Sequence, residues 1–370
     1  MIRKKVEPEI NVIEIDSRDA TYQTGIARYI DILSAGLPKN VKTYRIFLYR
    51  YKKNEVRITE TDNELSVHCP AGMPVGVLAP LIMQMWGFKI SKMKNLIVKN
   101  NCMGTEAIAY SIRSRFYCKL ISVLHFSNQW ILDGRPDRNA NPYYGMDCII
   151  SVFANGTKYL NEIGNQRPIH VILNGIEKPK ITPRKKDGVF RFIFAHGWSA
   201  RKGLMKILPA IKKVAEKHPN IEVLILGGYE PEVNVEKVTE GLPVKVLGLI
   251  TDEAEINKYY DMSDCALFAS ASEACSIAGI EAMVRNMPII STDAEGLTEM
   301  FANAAHYVKM DPQYNIDPDD YAQAMCDIIE NSRLRNKLSV LAYSRYVSHY
   351  NAKKMCEKTL EVYKKLLDIK

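Results

Sequence analysis

The sequence predicts an α/β protein made of two doubly wound, Rossmann-like domains. Short, unbroken apolar runs alternate with stretches of helical periodicity along both halves of the chain, as expected of parallel strands covered by helices on both faces. That alternation is interrupted once, between Asn174 and Gly188, by a turn signal followed by Pro, Lys and charge without any period. A length of 370 residues is sufficient for two domains, each with its own core. The boundary is therefore expected at 178/179.

Taken in order, Val12 to Asp16 reads as a strand. The glycine-containing loop after it leads to a helix with Ile26, Tyr29, Ile30, Leu33 and Leu37 at helical spacing. Strands are expected at Tyr44–Tyr49, Val56–Thr59 and Leu65–Cys69. Met73 to Lys94 is apolar as far as Phe88 and basic afterwards, a composition compatible with lying on an anionic membrane face or with a core helix. Further strands are expected at Asn95–Val98, Leu120–Leu124 and Cys148–Phe153, with a helix from Glu106 to Tyr117 and a polar loop from Asp133 to Tyr144. His125 falls just past a strand end, where ligands collect in open α/β sheets.

The second half opens with a strand at Phe192–Ala195, then a basic loop, His196 to Gly203, and a helix from Leu204 to Glu216. Strands at Val223–Leu226 and Val244–Leu249 and a helix at Asp252–Met262 follow. Residues 265–299 then read as strand, polar loop, helix, strand and loop. Glu273 and Glu281 stand eight residues apart in this stretch. On one continuous helix they would be separated by about 80° and about 12 Å of rise, too far to grip one small group. With Glu273 in the loop, the N–H groups of Ser276, Ile277 and Ala278 are available to an anion at a helix start.

The run Glu-x7-Glu-Ala-Met, followed by Pro-Ile-Ile-Ser-Thr-Asp and Glu295-Gly-Leu-Thr-Glu299, resembles the donor signature of retaining GT-B glycosyltransferases, the large group that builds bacterial surface polysaccharides. Thr24-Gly25-Ile26-Ala27 resembles the first glycine loop of the same family, and Val171 to Ile176 its interdomain segment. The resemblance implies a GT-B fold, with two Rossmann-like domains facing a central cleft and the final helix, 351–370, returning to the first domain. It implies transfer of a sugar, with retention, from a UDP- or GDP-sugar to a glycan or lipid-linked acceptor. Gly25, Arg201, Lys202, Ser276, Ile277, Ala278 and Glu281 would hold the donor, with Glu281 on the ribose. Glu273 would position the transferred sugar, and His125 would reach the sugar or the acceptor. Trp198 stands where the family usually has Arg, and Arg201 takes over that role in this reading. The alternative is a GT-B enzyme of other chemistry, such as a sugar-nucleotide epimerase, or a non-catalytic nucleotide-sugar-binding relative.

A net charge of +8 favours anionic partners. The basic residues are dispersed rather than clustered with aromatics, which argues against nucleic acid. The eight Cys include no CxxC pair, so reduced thiols in a cytoplasmic protein are expected, with peripheral contact to the inner face of the plasma membrane as an extension. No resident cofactor and no metal are expected, and Asp317-Pro-Asp-Asp320 reads as a helix cap rather than a metal motif.

Overall fold

The computed structural model describes residues 7–19, 25–51, 55–125, 143–182, 187–228 and 233–369. The chain divides into two compact units, Met1–Leu173 with Ala352–Lys370, and Asn174–Asn351. Most of the polar loop expected at Asp133–Tyr144, and Thr24 of the first glycine loop, lie outside the described residues.

The first unit is built on an eight-stranded sheet, ordered β3-β4-β2-β1-β5-β6-β7-β8. Its strands are β1 (Ile10–Asp19), β2 (Val41–Tyr51), β3 (Arg57–Glu60), β4 (Glu64–Pro70), β5 (Leu96–Asn100), β6 (Lys119–Leu124), β7 (Cys148–Ser151) and β8 (Ile169–Val171). Every pairing is parallel except β3 with β4. The helices are α1 (Gly25–Gly36), α2 (Val75–Ile90), α3 (Glu106–Arg113), α4 (Gly156–Glu162) and α12 (Ala352–Leu366). All five residues of β5 are buried, as a central strand sandwiched between helical layers requires. Helix α12 packs on α1 and buries Met355, Val362 and Tyr363.

Helix α2 buries one face and exposes apolar side chains on another. Leu78, Ile82, Met83 and Trp86 are buried, whereas Val77 and Phe88 are 62% and 75% exposed and Met85 is also exposed. Trp86 is fixed from within by an Nε1–H bond to Glu60 at 2.8 Å.

The second unit carries a wholly parallel six-stranded sheet, ordered β11-β10-β9-β12-β13-β14. Its strands are β9 (Phe190–Phe194), β10 (Ile221–Leu226), β11 (Val244–Gly248), β12 (Cys265–Phe268), β13 (Ile289–Thr292) and β14 (Ala305–Val308). Around them lie α5 (Leu204–Lys217), α6 (Val235–Thr239), α7 (Glu253–Asp261), α8 (Ile277–Val284), α9 (Glu295–Phe301), α10 (Pro318–Glu330) and α11 (Ser332–His349). The core joins Phe192, Phe194, Ile207, Val223, Leu267 and Met325 across the sheet and two helices.

The stretch 295–299, expected as a loop, is the first part of α9. Glu295 in its first turn suits the positive end of a helix, and Leu297, Met300 and Phe301 supply the buried face. The Asp-x-Asp run behaves as a cap: Asp317 accepts from the Asp319 N–H at 2.8 Å, with Pro318 opening α10.

Candidate functional site

In a doubly wound sheet, ligands gather beyond the carboxyl ends of the strands, where the strand order reverses. In the second unit that point lies between β9 and β12, which are neighbours in the sheet. The loops leaving these strands bring together Arg201, Lys202 and Glu273. Lys202 sits in a 3₁₀ turn, Ala200–Lys202, closed by Gly203 in the left-handed region (φ 74°). A Cβ at Gly203 would come within 2.0 Å of the Ala269 carbonyl oxygen, so only glycine lets the two loops meet. The Arg201 carbonyl then accepts from the Ala271 N–H at 2.8 Å.

Glu273 lies in the loop between β12 and α8 and is buried. Its carboxylate is bonded to the Lys202 ammonium, accepts from Ser270 Oγ at 3.0 Å and stands 3.8 Å from Arg201 Nη1. Arg201 also donates to the Ser272 carbonyl at 2.9 Å. Burial works against the charged carboxylate, but the two cations outweigh it and hold Glu273 down at about 2. The loop is pinned from behind by Gly296, where a Cβ would meet the Glu273 carbonyl oxygen at 1.8 Å.

Ser276 is the N-cap of α8, and its Oγ accepts from the Gly279 N–H at 3.3 Å. The N–H groups of Ile277 and Ala278 stand in the first turn, where a helix provides no internal acceptor. Asn174 donates to the Cys275 carbonyl at 2.9 Å and thereby anchors the approach to the helix.

Glu281 is placed differently from Glu273. It is 1% exposed in the middle of α8, and its carboxylate is bonded to Arg285 one turn further on. The same guanidinium reaches Asp261 at 3.0 Å and bonds Asn257. Glu281 is thus part of a buried charge network that ties α8 to α7.

Gly25 and His125 belong to the first unit. Gly25 is the exposed first residue of α1. His125 follows β6, its ring 4.8 Å from that of Tyr29. Behind it lies a buried pair, Lys99 and Glu14, at 2.8 Å, with Asn101 Nδ2 donating to the other Glu14 oxygen at 2.7 Å. Asn101 Oδ1 therefore faces His125 Nε2, at 3.5 Å, an arrangement that favours the proton on Nε2 and leaves Nδ1 as an acceptor. Burial and the nearby Lys99 push the His125 pKa down to about 3, so the ring is neutral at physiological pH.

Sequence reasoning did not single out Ser270, Arg285 or Asn101, and it named Gly296 only as part of a motif, without its contact to the Glu273 backbone. Their roles depend on partners 3 to 87 residues away in the chain, and no local pattern announces them. None of the eight cysteines forms a disulfide. Away from the site, the ligand atoms of His218, Cys326 and Glu330 lie within 4.8 Å of one another. Glu330 is already neutralised by Lys217 at 2.7 Å and bonded to His218 at 2.9 Å.

Residues 176–345 match the family model described as glycosyl transferases group 1. Among curated proteins, 134 residues are 23% identical to the sulfoquinovosyl transferase SQD2 of Arabidopsis thaliana, covering 34% of this chain and 26% of that one. An alignment of 170 residues is 24% identical to a phosphatidyl-myo-inositol mannosyltransferase of Mycobacterium tuberculosis, covering 44% of this chain and 43% of the relative. The chain thus spans less than half the length of these relatives. Among solved structures, sucrose-phosphate synthase from Thermosynechococcus elongatus superposes with a TM-score of 0.76 at 16% identity, covering 98% of this chain and 100% of the other. Anabaena HepE in complex with UDP and glucose gives 0.72 at 13% identity, covering 96% and 99%. These likenesses show the fold, which is GT-B.

Proposed function

We propose, from the match of residues 176–345 to the group 1 glycosyl transferase model, that this chain is a retaining enzyme that moves a sugar from a nucleoside-diphosphate donor to a glycan or lipid-linked acceptor in bacterial surface polysaccharide synthesis. The observation that carries this reading is the Lys202–Glu273–Arg201 cluster, beside the amino end of α8 at the switch point of the second sheet.

Breaking the anomeric C–O bond leaves positive charge on the sugar ring and negative charge on the departing diphosphate. Two cations and one carboxylate leave the cluster with a net positive charge, suited to that leaving group. Each preorganised contact of this kind is worth about 2.7–4 kcal/mol at the transition state. Lys202 and Glu273 are bonded to each other. An incoming diphosphate competes for the ammonium, and the released carboxylate turns to the hydroxyls of the transferred sugar. The leaving phosphate serves as base for the incoming hydroxyl on the same face, which gives retention. In this reading the cations and helix N–H groups neutralise the diphosphate without a metal. His125 Nδ1 accepts a hydrogen bond from a sugar or acceptor hydroxyl.

The test is calorimetry with UDP and GDP together with a transfer assay across nucleotide sugars. Lys202→Ala should weaken nucleoside-diphosphate binding at least tenfold. Glu273→Gln, which frees Lys202, should bind the diphosphate as well as or better than the parent and lose about 100-fold in transfer. Parallel losses of binding and transfer in Glu273→Gln would sink the division of roles.

A lipid-linked acceptor is supported by α2. Its outer face shows Val77, Met85 and Phe88, with Lys92 Nζ 3.9 Å from the centre of the Phe88 ring and Lys89 and Lys94 nearby in the chain. An apolar stripe with cations beside it matches an anionic bilayer surface. The mycobacterial relative is itself named as a mannosyltransferase of phosphatidyl-myo-inositol. No helix among the described residues is long and apolar enough to cross a membrane, so the contact proposed is peripheral. Phe88→Ser should abolish flotation with vesicles containing anionic lipid; equal flotation of parent and variant, or none with either, overturns it.

A further inference from the structure

His196 is a buried polar residue to which nothing so far assigns a role. It follows β9 at the head of the loop that carries Arg201 and Lys202, and is 7% exposed. Its ring meets Phe194 and Phe268 edge to face, with centroids 5.4 and 4.9 Å apart. Its Nε2 is buried and has no hydrogen-bond partner among the described residues. Lys202, Glu273 and Arg201 are close enough to act on its charge.

Leaving such a nitrogen unpaired in the interior is costly. Phenylalanine would fill the same space between two aromatic rings without that cost, so packing alone gives no reason for histidine here. The backbone is also tightly fixed: a Cβ at Gly227 would lie 2.7 Å from the His196 carbonyl, so the ring cannot easily be carried elsewhere by its loop. Burial and the adjacent cations keep the imidazole neutral, down to about pH 3. A neutral ring can offer one N–H to an acceptor-only oxygen.

We propose that His196 is a further donor-binding residue, whose Nε2–H bonds an oxygen of the diphosphate once Lys202 has left Glu273 for that anion. This rests on the donor-site reading above. A neutral donor beside Lys202 adds a directed hydrogen bond to the point charge of the ammonium. It discriminates a diphosphate from other anions by position rather than by charge.

The test compares His196→Phe, His196→Gln and Lys202→Ala for UDP and GDP binding by calorimetry, with thermal unfolding of each protein. His196→Phe should keep or raise the melting temperature and weaken the better-bound diphosphate roughly tenfold. His196→Gln, which retains an N–H near the same place, should recover part of that loss. Unchanged affinity in His196→Phe with a large loss in Lys202→Ala overturns the role of His196 and leaves the donor site standing. Unchanged affinity in both removes the donor site itself. If His196→Phe does not fold, affinity in His196→Gln equal to that of a folded His196→Leu overturns the hydrogen bond. A loss confined to the nucleotide sugar, with UDP and GDP unaffected, overturns the diphosphate as its partner.

Discussion

Glu281 and Glu273 are the same residue type in one motif, yet their surroundings assign them different physical duties. Removing Glu281 leaves Arg285 buried with one counter-charge fewer, and breaking such a network costs about 3–5 kcal/mol. Glu281→Ala should therefore lose stability in urea by that order, while Glu281→Gln loses less. A loss below about 1 kcal/mol in Glu281→Ala would show that the network contributes little, and any nucleotide-binding effect of that variant must be judged against its fold. The two neutral histidines make a pH prediction. The pKa values of His125 and His196 lie at about 3 in the folded chain against 6.5 for a free ring. The unfolded chain thus binds more protons than the folded one as pH falls below 6.5, and stability declines from there towards pH 3. Glu273 adds a second loss only between about 4.5 and 2. Urea midpoints from pH 7 to pH 5 should fall in the parent and fall less steeply in His125→Gln. Equal slopes would mean that the ring is charged in the folded state.

At the scale of elements, the site depends on two loops brought into contact by glycines. Gly203 combines a left-handed backbone with contact against Ala269. Gly203→Ala should cost at least the roughly 1–3 kcal/mol of a strained non-glycine residue and weaken nucleotide binding together with stability. A stable variant with intact binding would show that the loops can part without consequence. What could be read from the sequence follows the same division. The alternating apolar runs gave the parallel strands, because strands buried on both faces leave that trace in the chain. Helix α9 was missed because a glycine and a threonine near its start look like loop; the contact of Gly296 with the Glu273 backbone that explains them is tertiary. Lys202 and Glu273 were identified by motif, but their bond to each other was not, since it joins residues 71 positions apart. The double nature of α2 was likewise undecided, because an apolar composition says how much surface is greasy and not which half faces inward.

The whole molecule consists of one unit whose sequence is continuous and one whose sequence is interrupted. The first unit closes only when α12 returns to α1, with Gly36 so near Cys356 that a Cβ would lie 2.5 Å from Sγ. Each large apolar side chain that α12 buries is worth about 1.5–3 kcal/mol. A chain ending at Asn351 should therefore show hydrogen exchange collapsing in β1 and β5 while β9 and β12 remain protected. Equal protection of both sheets in that truncated chain would mean that α12 is dispensable. The interruption also has a bearing on biosynthesis. Domains generally mature on the ribosome in the order they are made, amino-terminal first. Here the later-made unit has all its strands once residue 351 has emerged from the exit tunnel, while the earlier one must wait for a helix encoded after it. Translation therefore runs in one direction and completion of the two units in the other, and the nascent amino-terminal unit lacks α12 against α1 throughout that interval.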